Sequence, residues 1–247
     1  MKSILFKIWK FPQLSETFIL AQIITAIKCG YKVNVLVQDL LNIEESKQQI
    51  LLTKFDILDK IIIENYHIPE NKLIRLIKGC ILVIINLPSI LKLIRYLQKV
   101  KNLNITDIYK FQFYKRFKDY DIIHVQYGTN VKPVDILKKI GFITSKLVVS
   151  FHGHDAFFPI NGIIPNNGYY DNLFRYGDLI VANTPYLAKL IEELGCPKNK
   201  LKIIPVGVDT KFFHPLKNDH KCRDVIRLIS VGRLDKVKGH IYLIDLV

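Results

Sequence analysis

Short apolar runs alternate with longer stretches of helical period along most of this chain. "SILFKIW" (3–9), "KVNVLV" (32–37), the run near 60–63 in "DKIIIEN", "DIIHVQ" (121–126), "KLVVSF" (146–151), "DLIVAN" (178–183) and "KLKIIP" (200–205) read as strands. These runs are almost wholly apolar, which predicts strands covered on both faces and a parallel sheet rather than an antiparallel one. The intervening segments predict helices. One spans Ser15 to Lys28, with Ser15 placed as its N-cap and Gly30 ending it; another starts at Thr184 and Pro185. The alternation predicts an α/β fold with a doubly wound parallel sheet over residues 1–205. After Pro205 the pattern changes. Residues 206–224 are polar and turn-rich, as in a linker, and residues 225–247 open a new strand–loop–helix unit, read as the start of an incomplete second domain.

Two predicted helices, 69–86 and 88–102, each start with a proline suited to a first helical turn. In the second, Leu87, Ile90, Leu91, Ile94, Leu97 and Val100 follow helical spacing, while Lys92, Arg95 and Lys99 fall on other faces. Such a helix either packs its stripe on the domain or rests on an anionic membrane surface.

Charge sharpens that alternative. The net charge is +14, and residues 60–119 hold 12 Lys and Arg against 4 Asp and Glu. Such a surplus attracts phosphorylated ligands, anionic lipid or nucleic acid, or is simply a solvated surface. No nucleic-acid motif accompanies it, so nucleic acid is not an expected partner. With 49% hydrophobic and 23% charged residues the chain can bury a core. Residues 1–9 do not read as a signal peptide, and no apolar stretch reaches the ~18 residues of a spanning helix. Cys29, Cys80, Cys196 and Cys222 form no CxxC pair and read as reduced thiols of a cytoplasmic protein.

Ligands of open parallel sheets bind beyond the carboxyl ends of the strands. There the chain places "KFPQLSETF" (10–18) with Ser15, Glu16 and Thr17; "QYGTN" (126–130) with Tyr127 and Gly128; "FHGHDAF" (151–157) with His152, Gly153, His154 and Asp155; and "NTPY" (183–186) with Asn183. Together these loops describe a cleft for a polar ligand. His152 and His154, two apart on extended backbone, point the same way and with Asp155 form a candidate metal site for a hydrolase. Against it, the HxHxDH pattern is broken: Asp155 comes one place early and no histidine follows. Asp155 is alternatively a turn anchor, and His124, inside a strand, a satisfied core histidine. There is no GxGxxG after a strand, no Walker loop and no GxSxG elbow.

"FPQLSETFILAQI", "IIHVQYG", "SFHGHDAFF", "LGCPKNKLKIIPVGVDTKFFHP" and "ISVGRLDKVKGH", in this order, resemble a family 4 glycosyltransferase of the colanic-acid and exopolysaccharide type. The resemblance implies a GT-B fold, two Rossmann-like domains facing across a cleft, and no metal or other cofactor. It implies transfer, with retention, of a sugar from a nucleotide-diphosphate donor to a cell-surface or lipid-linked saccharide. The enzyme would be peripheral on the inner face of the cell membrane, with the basic helices on anionic lipid. By resemblance, His152 faces the donor sugar, Arg233 and Lys238 grip the diphosphate, and Ser15, Glu16 and Thr17 meet donor phosphate or acceptor. A departing diphosphate gathers negative charge, and two fixed cations stabilise it without a metal ion. The family pattern also includes an E-x7-E pair, which residues 225–247 do not hold. The chain alone is therefore expected to be inactive or weakly active unless a further domain or chain completes it. A non-catalytic binding module is the remaining alternative.

Overall fold

A computed structural model describes residues 1–43, 48–100, 104–208, 210, 214 and 228–246. It divides into two compact units, Met1–Gly207 and Val208–Val247. In the first, strands β1 (Ser3–Phe11), β2 (Lys32–Leu40), β3 (Ile61–Ile63), β4 (Ile122–Gln126), β5 (Lys146–Phe151), β6 (Leu179–Ala182) and β7 (Leu201–Ile203) form one parallel sheet in the order β3-β2-β1-β4-β5-β6-β7. The helices are α1 (Thr17–Lys28), α2 (Gln49–Lys54), α3 (Lys72–Ile85), α4 (Ile90–Lys99), α5 (Thr106–Tyr114), α6 (Val134–Lys139), α7 (Asp171–Tyr176) and α8 (Pro185–Glu193). The doubly wound α/β sheet expected from the apolar runs is present.

Alternation along β1 divides its side chains between two cores. Ile4, Phe6 and Ile8 meet Ile19, Leu20 and Ile23 of α1, with Val33, Val35 and Val37 from β2. Leu5 faces the other way, into a core with Leu93 and Tyr96 of α4, Phe111 and Tyr114 of α5, and Val125 and Val149. Burial on both faces is why these strands read as continuous apolar runs. Lys7 lies on β1 between these apolar neighbours and is buried. Its Nζ meets Glu64 Oε2 at 3.1 Å, and Glu64 Oε1 accepts from the hydroxyls of Tyr66 at 2.6 Å and of Tyr114. Burial raises the Glu64 carboxyl, but Lys7 and the two tyrosines outweigh it and hold it below its ordinary value.

Several local expectations change. Glu16, not Ser15, occupies the N-cap of α1, and no side chain caps that helix. Thr184 does cap α8, its hydroxyl accepting from the Leu187 amide at 3.1 Å with Pro185 in the first turn. The second unit contains α9 (His240–Ile244), and Leu228–Val231 forms no strand with the described residues. Most of the expected linker, Cys222 and residues 225–227 lie outside the described residues.

The basic helices differ most. Of the expected stripe, Ile90, Leu97 and Val100 pack partly buried against the core, beside the buried Leu93 and Tyr96, whereas Leu87, Leu91 and Ile94 are exposed. On α3, Leu73, Ile74, Leu76, Ile77, Ile84 and Ile85 are all exposed, and Gly79 is buried. Among the described residues no single helix is long and apolar enough to cross a membrane; 72–85 and 87–99 suffice only as a pair, bent by 68°.

Candidate functional site

Chain order fixes where the site lies. From β1 the sheet grows one way to β2 and β3, and from β4 the other way to β5, β6 and β7. The crevice between β1 and β4 is thus the topological switch point, where ligands of open α/β sheets bind. The loops after β1 and β4 meet across it. Tyr127 donates its hydroxyl to Glu16 Oε1 at 2.6 Å. That bond engages the carboxylate of the α1 N-cap residue.

Tyr127 has φ +68°, a left-handed conformation costing a non-glycine residue on the order of 1–3 kcal/mol. Its amide donates to the Ser150 carbonyl at 2.9 Å, which holds the turn. Gly128 follows, buried, where a Cβ would stand 2.5 Å from the Phe151 ring, so only glycine fits. The strained turn aims the Tyr127 ring at two histidines, with centroids 4.6 Å from His152 and 5.2 Å from His154.

His152 leaves the end of β5 and packs against Phe18 of α1 at 4.7 Å on another side. Its Nε2 lies 2.9 Å from Gln126 Oε1, and the Gln126 amide nitrogen donates to Gln22 Oε1 at 2.8 Å. The amide oxygen can only accept, so His152 carries its proton on Nε2 and leaves Nδ1 as an acceptor. That Nδ1 is buried and has no hydrogen-bond partner among the described residues. Burial, with a smaller push from His154, holds the imidazole at about 4, so it is neutral at pH 7. Neighbouring His124 is also held at about 4 by burial and by His152, and its Nε2 pairs with the Ser150 hydroxyl at 2.8 Å. His124 is a satisfied structural histidine, as the strand position predicts.

Asp155 is fully buried and works on the backbone. Its carboxylate accepts the amides of Gly128 at 2.8 Å, His152 at 3.0 Å and Gly153 at 2.9 Å, tying the β4 loop to the β5 loop. Burial raises this carboxyl above its ordinary value, against the opposing pull of the three amides. Gly153, at φ +125°, makes the turn that brings the carboxylate back. The turn-anchor reading of Asp155 therefore holds. The hydrolase arrangement of His152, His154 and Asp155 does not assemble: among the described residues no three His, Cys, Asp or Glu side chains converge. Ser15 and Thr17 are exposed at the start of α1, and Asn183 is half-buried at the end of β6.

Arg233 and Lys238 lie in the second unit, both exposed. His240 closes their loop: Nε2 donates to the Arg233 carbonyl at 3.0 Å and Nδ1 meets the Ser230 hydroxyl at 2.9 Å. Of the three proposed membrane cations, Arg95 and Lys99 are exposed, but the Lys92 ammonium donates to the Gly141 carbonyl at 2.8 Å and is drawn onto the protein.

The Glycosyltransferase Family 4 profile matches residues 30–212. The chain belongs to glycosyltransferase family 4. This family 4 chain is 28% identical over 243 residues to the WcaL protein of Escherichia coli K12, by name a colanic acid biosynthesis glycosyltransferase, covering 95% of this chain and 57% of WcaL. It is 26% identical over 242 residues to the amylovoran biosynthesis glycosyltransferase AmsK of Erwinia amylovora, covering 93% of this chain and 56% of AmsK. It thus spans somewhat over half the length of these relatives. Among solved structures, HepE of Anabaena in complex with UDP and glucose superposes with a TM-score of 0.51 at 15% identity, over 86% of this chain and 46% of HepE. That likeness bears out the α/β fold expected of a GT-B enzyme's first half.

Gln22 and Phe18 escaped the sequence reading. Their only signal is a phase on α1, and phase acquires meaning only when the helix is docked. His240 escaped because its role is to close a loop through backbone and hydroxyl contacts.

Proposed function

We propose that this family 4 chain serves transfer of a sugar, with retention, from a nucleoside-diphosphate donor to a saccharide acceptor, lipid-linked or at the cell surface, in exopolysaccharide biosynthesis. The observation that carries the reading is the His152 imidazole. It is neutral, held through Nε2 by Gln126, and keeps an unpartnered Nδ1 acceptor beside the switch point. A sugar hydroxyl is the class of donor that would satisfy such an acceptor, and an unmet buried acceptor costs about 1–3 kcal/mol. Arg233 and Lys238 would neutralise the leaving diphosphate, so no metal or other cofactor is required. WcaL and AmsK are named for exopolysaccharide synthesis, and HepE binds UDP and glucose.

The enzyme works as a peripheral protein on the cytoplasmic face of the membrane. The exposed apolar residues of α3 enter the headgroup region, and Arg95 and Lys99 meet anionic lipid.

The test is incorporation of label from a panel of nucleotide sugars into membranes from cells expressing the chain. Weak chain-dependent incorporation, rising when a further domain or chain completes the protein and abolished by His152→Ala, is expected. Incorporation indifferent to His152→Ala refutes the role of the imidazole, and donor binding without incorporation even when a completing domain or chain is supplied makes the chain a binding module. Co-sedimentation with anionic vesicles should weaken with salt and with Arg95→Gln/Lys99→Gln; equal binding to neutral vesicles removes the electrostatic part of the reading.

A further inference from the structure

Beyond β3 the chain leads into α3, which packs closely against α5. The close packing depends on Gly79, where a Cβ would stand 2.7 Å from Ile105. The Tyr109 hydroxyl donates to the Arg75 carbonyl at 2.7 Å and joins the two helices. Between them lies a pocket of about 530 Å³, whose wall includes Lys78, Lys115, Arg116, His67, Ile81 and Leu82.

Its charge is uncompensated. Among the described residues none of Lys78, Lys115 and Arg116 is ion-paired. Lys115 Nζ reaches only Asn86 Oδ1, at 3.4 Å, and the Arg116 guanidinium lies over the Phe113 ring at 4.5 Å. Glu64, just before the pocket wall, is already taken by Lys7, Tyr66 and Tyr114. The neighbouring pocket of about 600 Å³, which shares Tyr66, is different. There two of the three lysines are matched, Lys110 by Asp107 at 3.0 Å and Lys132 by Asp135 at 2.5 Å, and only Lys99 has no ion pair among the described residues. The surplus in the first pocket is therefore local and does not merely reflect a basic chain. Three cations in one concavity repel each other, and a bound anion removes that repulsion.

The pocket is also continuous with an apolar surface. Ile81 is half exposed at its wall, and on the same helix Ile74, Ile77, Ile84 and Ile85 are exposed. From residue 71 to residue 100 there are six Lys and Arg and no Asp or Glu. An anionic cradle opening onto an apolar helix face matches a ligand with an anionic head and an apolar tail.

We propose that this pocket binds the phosphate head of an amphiphile among Lys78, Lys115 and Arg116, with the apolar chain laid along α3. This gives the lipid-linked acceptor of the reading above a place in the fold, and its biological meaning rests on that reading; the binding itself does not.

The test is calorimetry on the full chain with octyl phosphate below its micellar concentration, and with octyl glucoside and inorganic phosphate as controls. Octyl phosphate binds, inorganic phosphate binds at least about 10-fold more weakly, and octyl glucoside does not bind. Lys115→Gln/Arg116→Gln weakens octyl phosphate at least about 10-fold with thermal unfolding unchanged. If that pair fails to fold, Lys78→Gln, on the exposed helix, carries the same expectation. Equal affinity for octyl phosphate and inorganic phosphate, binding of octyl glucoside, or no effect of the variants overturns the proposal. Vesicle binding separates it from the membrane reading. Loss of vesicle binding with octyl phosphate affinity intact sinks the membrane reading and leaves the pocket, and the converse sinks the pocket alone.

Discussion

Removing the Glu64 carboxylate while keeping its shape, as Glu64→Gln, should be among the most damaging single changes around the sheet. The partner Lys7 lies 3.1 Å away, and the two side chains are 7% and 5% exposed. At an effective dielectric near 20, unit charges at that distance attract by about 5 kcal/mol. Glutamine retains an oxygen for the Tyr66 and Tyr114 hydroxyls, so the loss is chiefly the ion pair. The expected cost is therefore about 3–5 kcal/mol at pH 7, the range for breaking buried pairs. Lys7→Met in the same chain should recover most of it, because no buried charge remains. Thermal unfolding followed by circular dichroism reads all three variants, at about 2–4 °C per kcal/mol for a domain of this size. A Glu64→Gln chain within about 1 kcal/mol of the native one at pH 7, or one that Lys7→Met fails to recover, would refute the reasoning.

Gly128→Ala should cost about 1–3 kcal/mol by overpacking against Phe151, and should weaken the Asp155 anchor from Gly128; unfolding by urea reads the first, and the chemical shift of the Gly153 amide reads the second. His124 and His152 remain neutral in the folded chain down to about pH 4, whereas in the unfolded chain they take up protons near 6.5. Stability contributed by these neutral rings is present above pH 6.5 and is lost as the pH falls from 6.5 towards 4, by up to about 3 kcal/mol for each ring. His124→Gln should remove about half of that fall, and an unchanged fall would show that other groups carry it. The Glu64 contribution is lost at lower pH, below the ordinary carboxyl value, so the two windows are separable.

The sequence by itself determined the sheet. Strands buried on both faces must be apolar throughout, so β1, β2, β4 and β5 announce themselves without any partner being known. It also placed the loops at the carboxyl edge, because a parallel sheet puts every strand end on one side, and it carried the family in motifs such as "SFHGHDAFF". What tertiary structure alone decided is which of those loops touch. Strand order makes the β1–β4 crevice the switch point, and only there do Glu16 and Tyr127 meet, 111 positions apart in the chain. The same holds for Gln126 under His152 and for Glu64 with Lys7: a polar residue in an apolar run shows its chemistry only once its partner is in place. Asp155 shows the limit sharply. From sequence it is equally a ligand contact or an anchor, and three backbone amides from two loops settle which. On α3 the apolar pattern fits either packing on the domain or a membrane surface, and the fold leaves that face exposed. Hydrophobicity records what a side chain avoids, and only the packed chain shows whether protein is there to cover it.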